Sequence, residues 1–209
     1  MYSLPYFTDQ DQARVMEFIH AHPFAFLCGA DKQNQPVATQ IPVFIDQRGD
    51  QLFLSGHMMR KTDHHLAFEH NPHVLAVFTG PHTYVSASWY EKGNTASTWN
   101  YMSVHARGEL RFLGHEELLH ILRRTTDHFE QPGSGANFKD LSTDYVESLS
   151  KAIVAFEVEV KELKNTFKLS QNHEEKTYGA IVEQLSAQPG DAKLVADEMV
   201  KRSGELFKK

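Results

Sequence analysis

The chain has 209 residues, 41% hydrophobic, 11% aromatic and 23% charged, enough to bury one ample core and too apolar for a disordered or coiled-coil protein. Its 21 Lys and Arg against 27 Asp and Glu give a formal charge of −6, which excludes a global positive field for gathering nucleic acid or an anionic membrane. The single cysteine, Cys28, excludes an internal disulfide and a multi-cysteine zinc site; with no apolar run able to cross a bilayer and no signal-peptide pattern at Met1-Tyr2-Ser3-Leu4-Pro5-Tyr6, a reducing, cytoplasmic setting is expected.

Thr8 as N-cap and Val15, Phe18 and Ile19 at helical spacing predict an opening helix that His22-Pro23 stops. Residues 24–30, 36–45 and 51–57 are aromatic and β-branched and read as strands; Arg48-Gly49-Asp50 turns the last two into a hairpin. Cys28 falls in the first of them and reads as a buried structural thiol. A short helix is expected from about Thr62 to His70, because Pro72 cannot continue it. Strands then follow at His73 to Thr79 and Thr83 to Tyr90, with a break at Gly80-Pro81, and at Thr98 to Phe112.

Helical spacing returns at His115 to Phe129 and again from about Thr143 to Lys151, around the loop Gln131-Pro132-Gly133-Ser134-Gly135. Val154, Phe156, Val158 and Val160 alternate with Ala155, Glu157 and Glu159, which predicts a strand with one buried and one wetted face. Two helices, roughly 174 to 187 and 191 to 207, flank Gln188-Pro189-Gly190. About six strands without regular strand-helix-strand alternation favour a mainly β, Greek-key barrel with flanking helices (α+β) over a parallel sheet. The expected division is a barrel domain over 1–172, including the helical insertion at 115–151, and a helical appendage over 173–209.

Four stretches carry candidate chemistry. Ser55-Gly56-His57-Met58-Met59-Arg60-Lys61-Thr62 lies where a strand gives way to a helix, so a hydroxyl, two cations and free backbone donors can converge on a phosphate monoester. As a plain surface pair Arg60 and Lys61 would be misplaced, since cations are disfavoured at a helix N-terminus unless an anion sits there. The stretch from Gly80 to Tyr90 through Trp89 is rich in aromatics and small hydroxyls, suiting a planar ligand, a subunit interface or an ordinary barrel strand. Polar residues within Ser97 to Gly108 interrupt an apolar strand as a ligand wall or dimer seam would. Phe167-Lys168-Leu169-Ser170-Gln171-Asn172 offers one cation and several neutral hydrogen-bonding groups at a strand end.

The histidines at 57, 64, 65, 70 and 73 do not make a metal site, because Pro72 separates His70 from His73 and no carboxylate and histidine set repeats the spacing. His57, His82 and His105 could titrate near neutrality, yet none is assigned as an acid or base. Serine-nucleophile, Walker and dinucleotide-binding signatures are missing.

Three separated motifs, Gly80 to Tyr90, Thr98-Trp99-Asn100-Tyr101 with Val104-His105, and Lys168-Leu169-Ser170-Gln171-Asn172, resemble the PaiB family of FMN-binding negative transcriptional regulators over residues 1 to about 185. The resemblance implies a split β-barrel related to pyridoxamine 5′-phosphate oxidases, a homodimer, and FMN held where the subunits meet. It implies that Ser55, His57, Arg60 and Lys61 hold the FMN phosphate and that Thr39 faces the flavin. It further implies that Trp99, Asn100 and Tyr101 approach from the dimer seam while Lys168, Ser170, Gln171 and Asn172 close the site. After Arg60 the chain departs from many members, with Thr62-Asp63-His64-His65-Leu66 where Asn-Pro and an aromatic are common.

Two functions follow from this resemblance, a flavin-dependent sensor and repressor or a flavin-dependent oxidoreductase of the pyridoxamine 5′-phosphate oxidase-like class, with a haem-binding split barrel ranked behind them. DNA is a partner that charge does not favour: residues 173–209 carry six Lys or Arg against seven Asp or Glu. Only a local basic face from Lys201, Arg202, Lys208 and Lys209 could meet phosphates there.

Overall fold

Period-two alternation and β-branched composition build seven strands in the computed structural model, which describes residues 4–208 apart from 92, 94 and 132. They are β1 (Phe24–Ala30), β2 (Pro36–Pro42), β3 (Phe44–Arg48), β4 (Gln51–Met59), β5 (His73–Val85), β6 (Thr98–Phe112) and β7 (Ile153–Lys168). They form one sheet in the order β2-β1-β5-β6-β7-β4-β3. The registered pairs β1–β2, β1–β5, β3–β4 and β4–β7 are all antiparallel. Strands distant in sequence lie side by side, which is the long-return pattern of a Greek key, and the fold is the expected split barrel with flanking helices.

The strand count differs from the expected six for two local reasons. The run 36–45 is two strands, because Pro42 ends β2 and the Val43 N–H donates to the Pro23 carbonyl at 2.9 Å. Conversely, Gly80-Pro81 does not break β5. β1 pairs with β5 only over Leu75, Ala76 and Val77, so the N–H that Pro81 lacks falls outside that ladder. The run 83–90 instead ends at Val85, and Ala87–Trp89 form a 3-10 turn capped by the Ser86 hydroxyl. Of the expected turn residues, Lys92, Asn94 and Pro132 lie outside the described residues.

The chain divides into two compact units. One comprises His20–Phe78 and His105–Leu163. There α2 (Asp63–His70) presses Phe68 against Gly29, where a Cβ would stand 2.7 Å from the ring. Gly108 is forced by an even closer approach: a Cβ there would lie 2.2 Å from the Glu159 carbonyl oxygen. The helices α3 (His115–Phe129) and α4 (Thr143–Ser150) belong to this unit, and α3 lays Leu118 and Ile121 on Ala155. Burial pushes the Glu157 carboxyl up, but hydrogen bonds from Arg48 and Arg111 outweigh it and hold it below the usual carboxylate range. Arg124 ties α3 to β3 through two bonds to Asp46, at 2.6 and 2.9 Å. Cys28 is half-buried, and burial pushes its thiol up.

The other unit comprises 1–19, Thr79–Val104 and 164–209. Its opening helix, α1 (Gln12–Ala21), starts later than Thr8. Asp11 is the acceptor at its start, taking the Ala13 N–H at 2.9 Å, while the Thr8 hydroxyl donates to the Leu4 carbonyl. Asp9, with a side chain 2% exposed, receives Arg14 and Arg202. Burial pushes the Asp9 carboxyl up, and the two guanidinium hydrogen bonds more than reverse the shift. Arg202 belongs to α6 (Asp191–Leu206), which packs on α5 (Glu175–Ser186) through a bond of 2.8 Å from the Tyr178 hydroxyl to the Met199 carbonyl. The expected basic face is thereby reduced. Arg202 turns inward, Lys201 pairs with Glu198 at 3.3 Å, and Lys209 lies outside the described residues. Among the described residues no helix is long and apolar enough to cross a membrane.

Two stability tests follow. Asp9→Asn removes a buried charge that two guanidiniums face, and a loss of about 3 kcal/mol is expected in urea unfolding; a loss below about 1 kcal/mol would show the pairing to be dispensable. His65 on α2 is 4% exposed, with neither ring nitrogen hydrogen-bonded and its ring 4.8 Å from Phe112. Burial pushes its pKa below the ordinary value, against a smaller opposing pull from Glu69. The unfolded chain therefore takes the proton first, so stability is full above about pH 6.5 and falls as pH drops through that value. His65→Phe should flatten the urea midpoint between pH 7 and 5, and an unchanged slope would remove His65 as a cause.

Candidate functional site

Antiparallel register fixes which side chains share a face. On β4, Leu54 and Met58 enter the core, so Ser55 and His57 point to the opposite face, across from Glu157 and Ala155 of β7. Ser55 is buried and His57 half-buried, and burial lowers the His57 pKa. Because Ala155 packs on α3, that face is the one α3 covers. Thr39 on β2 sits opposite Leu27, half-buried, on the inward face of β1 and β2.

After β4 the chain turns sharply. Arg60 is pinned at two points, its backbone N–H to the Ala152 carbonyl and its Nε to the Ile153 carbonyl, both at 2.9 Å. Lys61 adopts φ +63°, a left-handed conformation that costs a lysine about 1–2 kcal/mol. Thr62 then caps α2, its hydroxyl donating to the Met59 carbonyl at 3.1 Å and accepting from the His65 N–H at 3.4 Å. Among the described residues neither Arg60 nor Lys61 has a carboxylate partner. Two adjacent uncompensated cations on a braced turn suit a phosphate dianion.

In the other unit the candidates divide by what their polar atoms do. Asn100 and Ser170 are buried and satisfy each other, the amide Nδ2 donating at 3.0 Å and the serine hydroxyl returning a bond at 3.1 Å. Gln171 folds back on its own strand, accepting from the Leu169 N–H at 2.6 Å and donating to the Phe167 carbonyl. These three hold the strand ends in place. Ser170 does so at φ +64°, so among the described residues two of the three non-glycine residues with positive φ, Asn34, Lys61 and Ser170, are candidate site residues.

Lys168, Trp99 and Asn172 are left as groups a ligand could meet. Lys168 reaches the Thr98 hydroxyl and the Trp99 carbonyl, and burial lowers its ammonium pKa. The Trp99 ring is 53% exposed, with Tyr84 edge-on at 6.1 Å and His82 at 6.2 Å. Tyr101 is half-buried and Asn172 exposed.

Residue-type reasoning did not single out two further neighbours. The Tyr90 hydroxyl is buried without a hydrogen-bond partner among the described residues, and its ring lies 4.6 Å from His173. Burial, then the charge of Lys168, lowers the His173 pKa. Tyr90 was visible only as one aromatic among several, and His173 as one histidine among thirteen. A planar, polar-edged ring finds an exposed indole and a desolvated cation here, so the residues present in each unit fit a phosphorylated flavin.

The family described as "Putative FMN-binding domain" matches residues 1–162. The chain is 32% identical over 201 residues to the protease synthase and sporulation protein PAI 2 of Bacillus subtilis, covering 95% of this chain and 96% of that one. Among solved structures it is similar to the flavocytochrome Anf3 of Azotobacter vinelandii, with TM-score 0.58, 16% identity, and 86% and 78% of the two chains covered. It is also similar to the FAD and heme binding protein of Mycobacterium smegmatis, with TM-score 0.56, 16% identity, and 78% and 73% covered. At those identities the structural likeness speaks for the split-barrel fold, while the family match and the 32% relative speak for descent. The chain belongs to the FMN-binding domain family, as a PaiB-type member with a flavin as its cofactor.

Proposed function

We propose that the chain is a homodimeric FMN protein that works as a flavin-dependent sensor in negative transcriptional regulation. The observation that carries the flavin part is the braced Arg60-Lys61 turn, two adjacent cations without carboxylate partners among the described residues, in a chain of net charge −6. In this reading Arg60 and Lys61 bind the phosphate, with Ser55 and His57 on the strand leading to them. Trp99 and Lys168 supply a ring face and a cation, and Asn100, Ser170 and Gln171 hold the strand ends that present them. A cation beside a flavin ring favours its electron-rich state, which is the property a redox sensor needs.

The dimer is supported by apolar surface. On β1, Ala25 and Leu27 are buried, while Phe24, 57% exposed, and Phe26, 38% exposed, stand on the opposite face. The C-terminal helices carry balanced charge and Arg202 is turned inward, which favours readout through a protein partner over broad contact with DNA.

Two measurements test this reading. The Arg60→Ala/Lys61→Ala double variant should weaken FMN at least 10-fold while leaving riboflavin within 2-fold, since each charged hydrogen bond is worth about 1.5–3 kcal/mol; equal losses for the two ligands would remove these residues from the phosphate. Sedimentation should find Phe26→Arg monomeric where the parent chain is dimeric. A monomeric parent would contradict the dimer.

A further inference from the structure

At the Arg60 turn is an open pocket of about 380 Å³ that the Ser55-to-Thr62 motif does not account for. It is lined by Arg60, His115, Glu147, Ser150 and Lys151. Its cations are placed with purpose. Arg60 spends its Nε on the Ile153 carbonyl, leaving the two terminal nitrogens of its guanidinium uncommitted. Lys151 is the C-cap of α4 and has no carboxylate partner among the described residues.

The other groups are already satisfied. The single carboxylate of the lining, Glu147, faces His115 at 3.3 Å, and the buried Ser150 hydroxyl donates to the Glu147 carbonyl at 3.1 Å. His115 is also the first residue of α3, whose N-cap Gly114 offers no side-chain acceptor, so backbone donors of a 15-residue helix begin at the cavity wall. Most other guanidiniums of this unit are paired to carboxylates: Arg48 and Arg111 to Glu157, Arg107 to Glu162, Arg124 to Asp46. Two unpaired cations sharing one cavity repel each other until an anion joins them.

We propose that this cavity is a phosphate-monoester site in which Lys151, from the helical insertion, binds the anion together with Arg60. The shared chemistry is a dianionic phosphate. Identifying it with the terminal phosphate of FMN rests on the function proposed above, whereas the cavity itself does not. Lys151 is exposed and caps α4 through its backbone, so Lys151→Ala should leave the fold intact.

The test titrates the full chain, Lys151→Ala, Lys151→Arg and the distant control Lys32→Ala with inorganic phosphate by calorimetry, and with FMN and riboflavin by flavin fluorescence. Lys151→Ala should weaken inorganic phosphate about 10-fold, Lys151→Arg should restore most of it, and Lys32→Ala should match the parent. If FMN weakens in parallel while riboflavin does not, the site holds the flavin's phosphate. If phosphate weakens and FMN does not, the site takes a separate phosphate ester, and the cavity assignment still stands. Phosphate binding without any flavin binding would sink the proposed function and keep the cavity. A parent chain that binds no phosphate, or a Lys151→Ala variant that binds phosphate and FMN like the parent, overturns the proposal.

Discussion

The antiparallel ladder between β4 and β7 is the constraint on which the Arg60-Lys61 turn depends. It runs from Phe53 opposite Glu159 to Met59 opposite Ile153 and is extended one step further by the bonds from Arg60 to Ala152 and Ile153. A slip of one residue would send Ser55 and His57 into the core and Leu54 and Met58 out of it. The same slip would free the Arg60 guanidinium from the carbonyl that aims it. Apolar alternation on the inner face therefore does more than fill a core: it indexes the position of two cations at the strand's end.

Strain marks the same places. Lys61 and Ser170 hold left-handed backbone that neither residue favours, and each is over-determined by its neighbours. Arg60 and the Thr62 cap flank the first, and the buried Asn100 amide grips the second. Backbone held off its preferred minimum by surrounding bonds is a common device for fixing a functional side chain or a chain reversal.

Much of this was legible in the sequence where a local rule dominates. The Arg48-Gly49-Asp50 hairpin, with Gly49 at φ +62°, and the stop of α2 before Pro72 follow from turn and proline chemistry alone. Tertiary context overrode the local signal elsewhere. Pro81 reads as a break, yet β5 runs through it to Val85, beyond the ladder with β1, which ends at Val77. Thr8 reads as a cap, but the burial of Asp9 between Arg14 and Arg202, one of them far along the chain, moves the helix start to Asp11. Polar residues in 97–108 and 167–172 were legible as unusual for an apolar strand, but Asn100 and Ser170 among them are buried. Their split into mutual partners, such as Asn100 with Ser170, and available groups, such as Lys168 and Trp99, depends on pairings some seventy residues apart that no short pattern carries.

The central claim is that this chain holds FMN. Stoichiometric titration of the full chain with FMN, followed by the change in flavin absorbance, tests it most directly. The account predicts saturation at one FMN per chain; titration with no saturable change would contradict it.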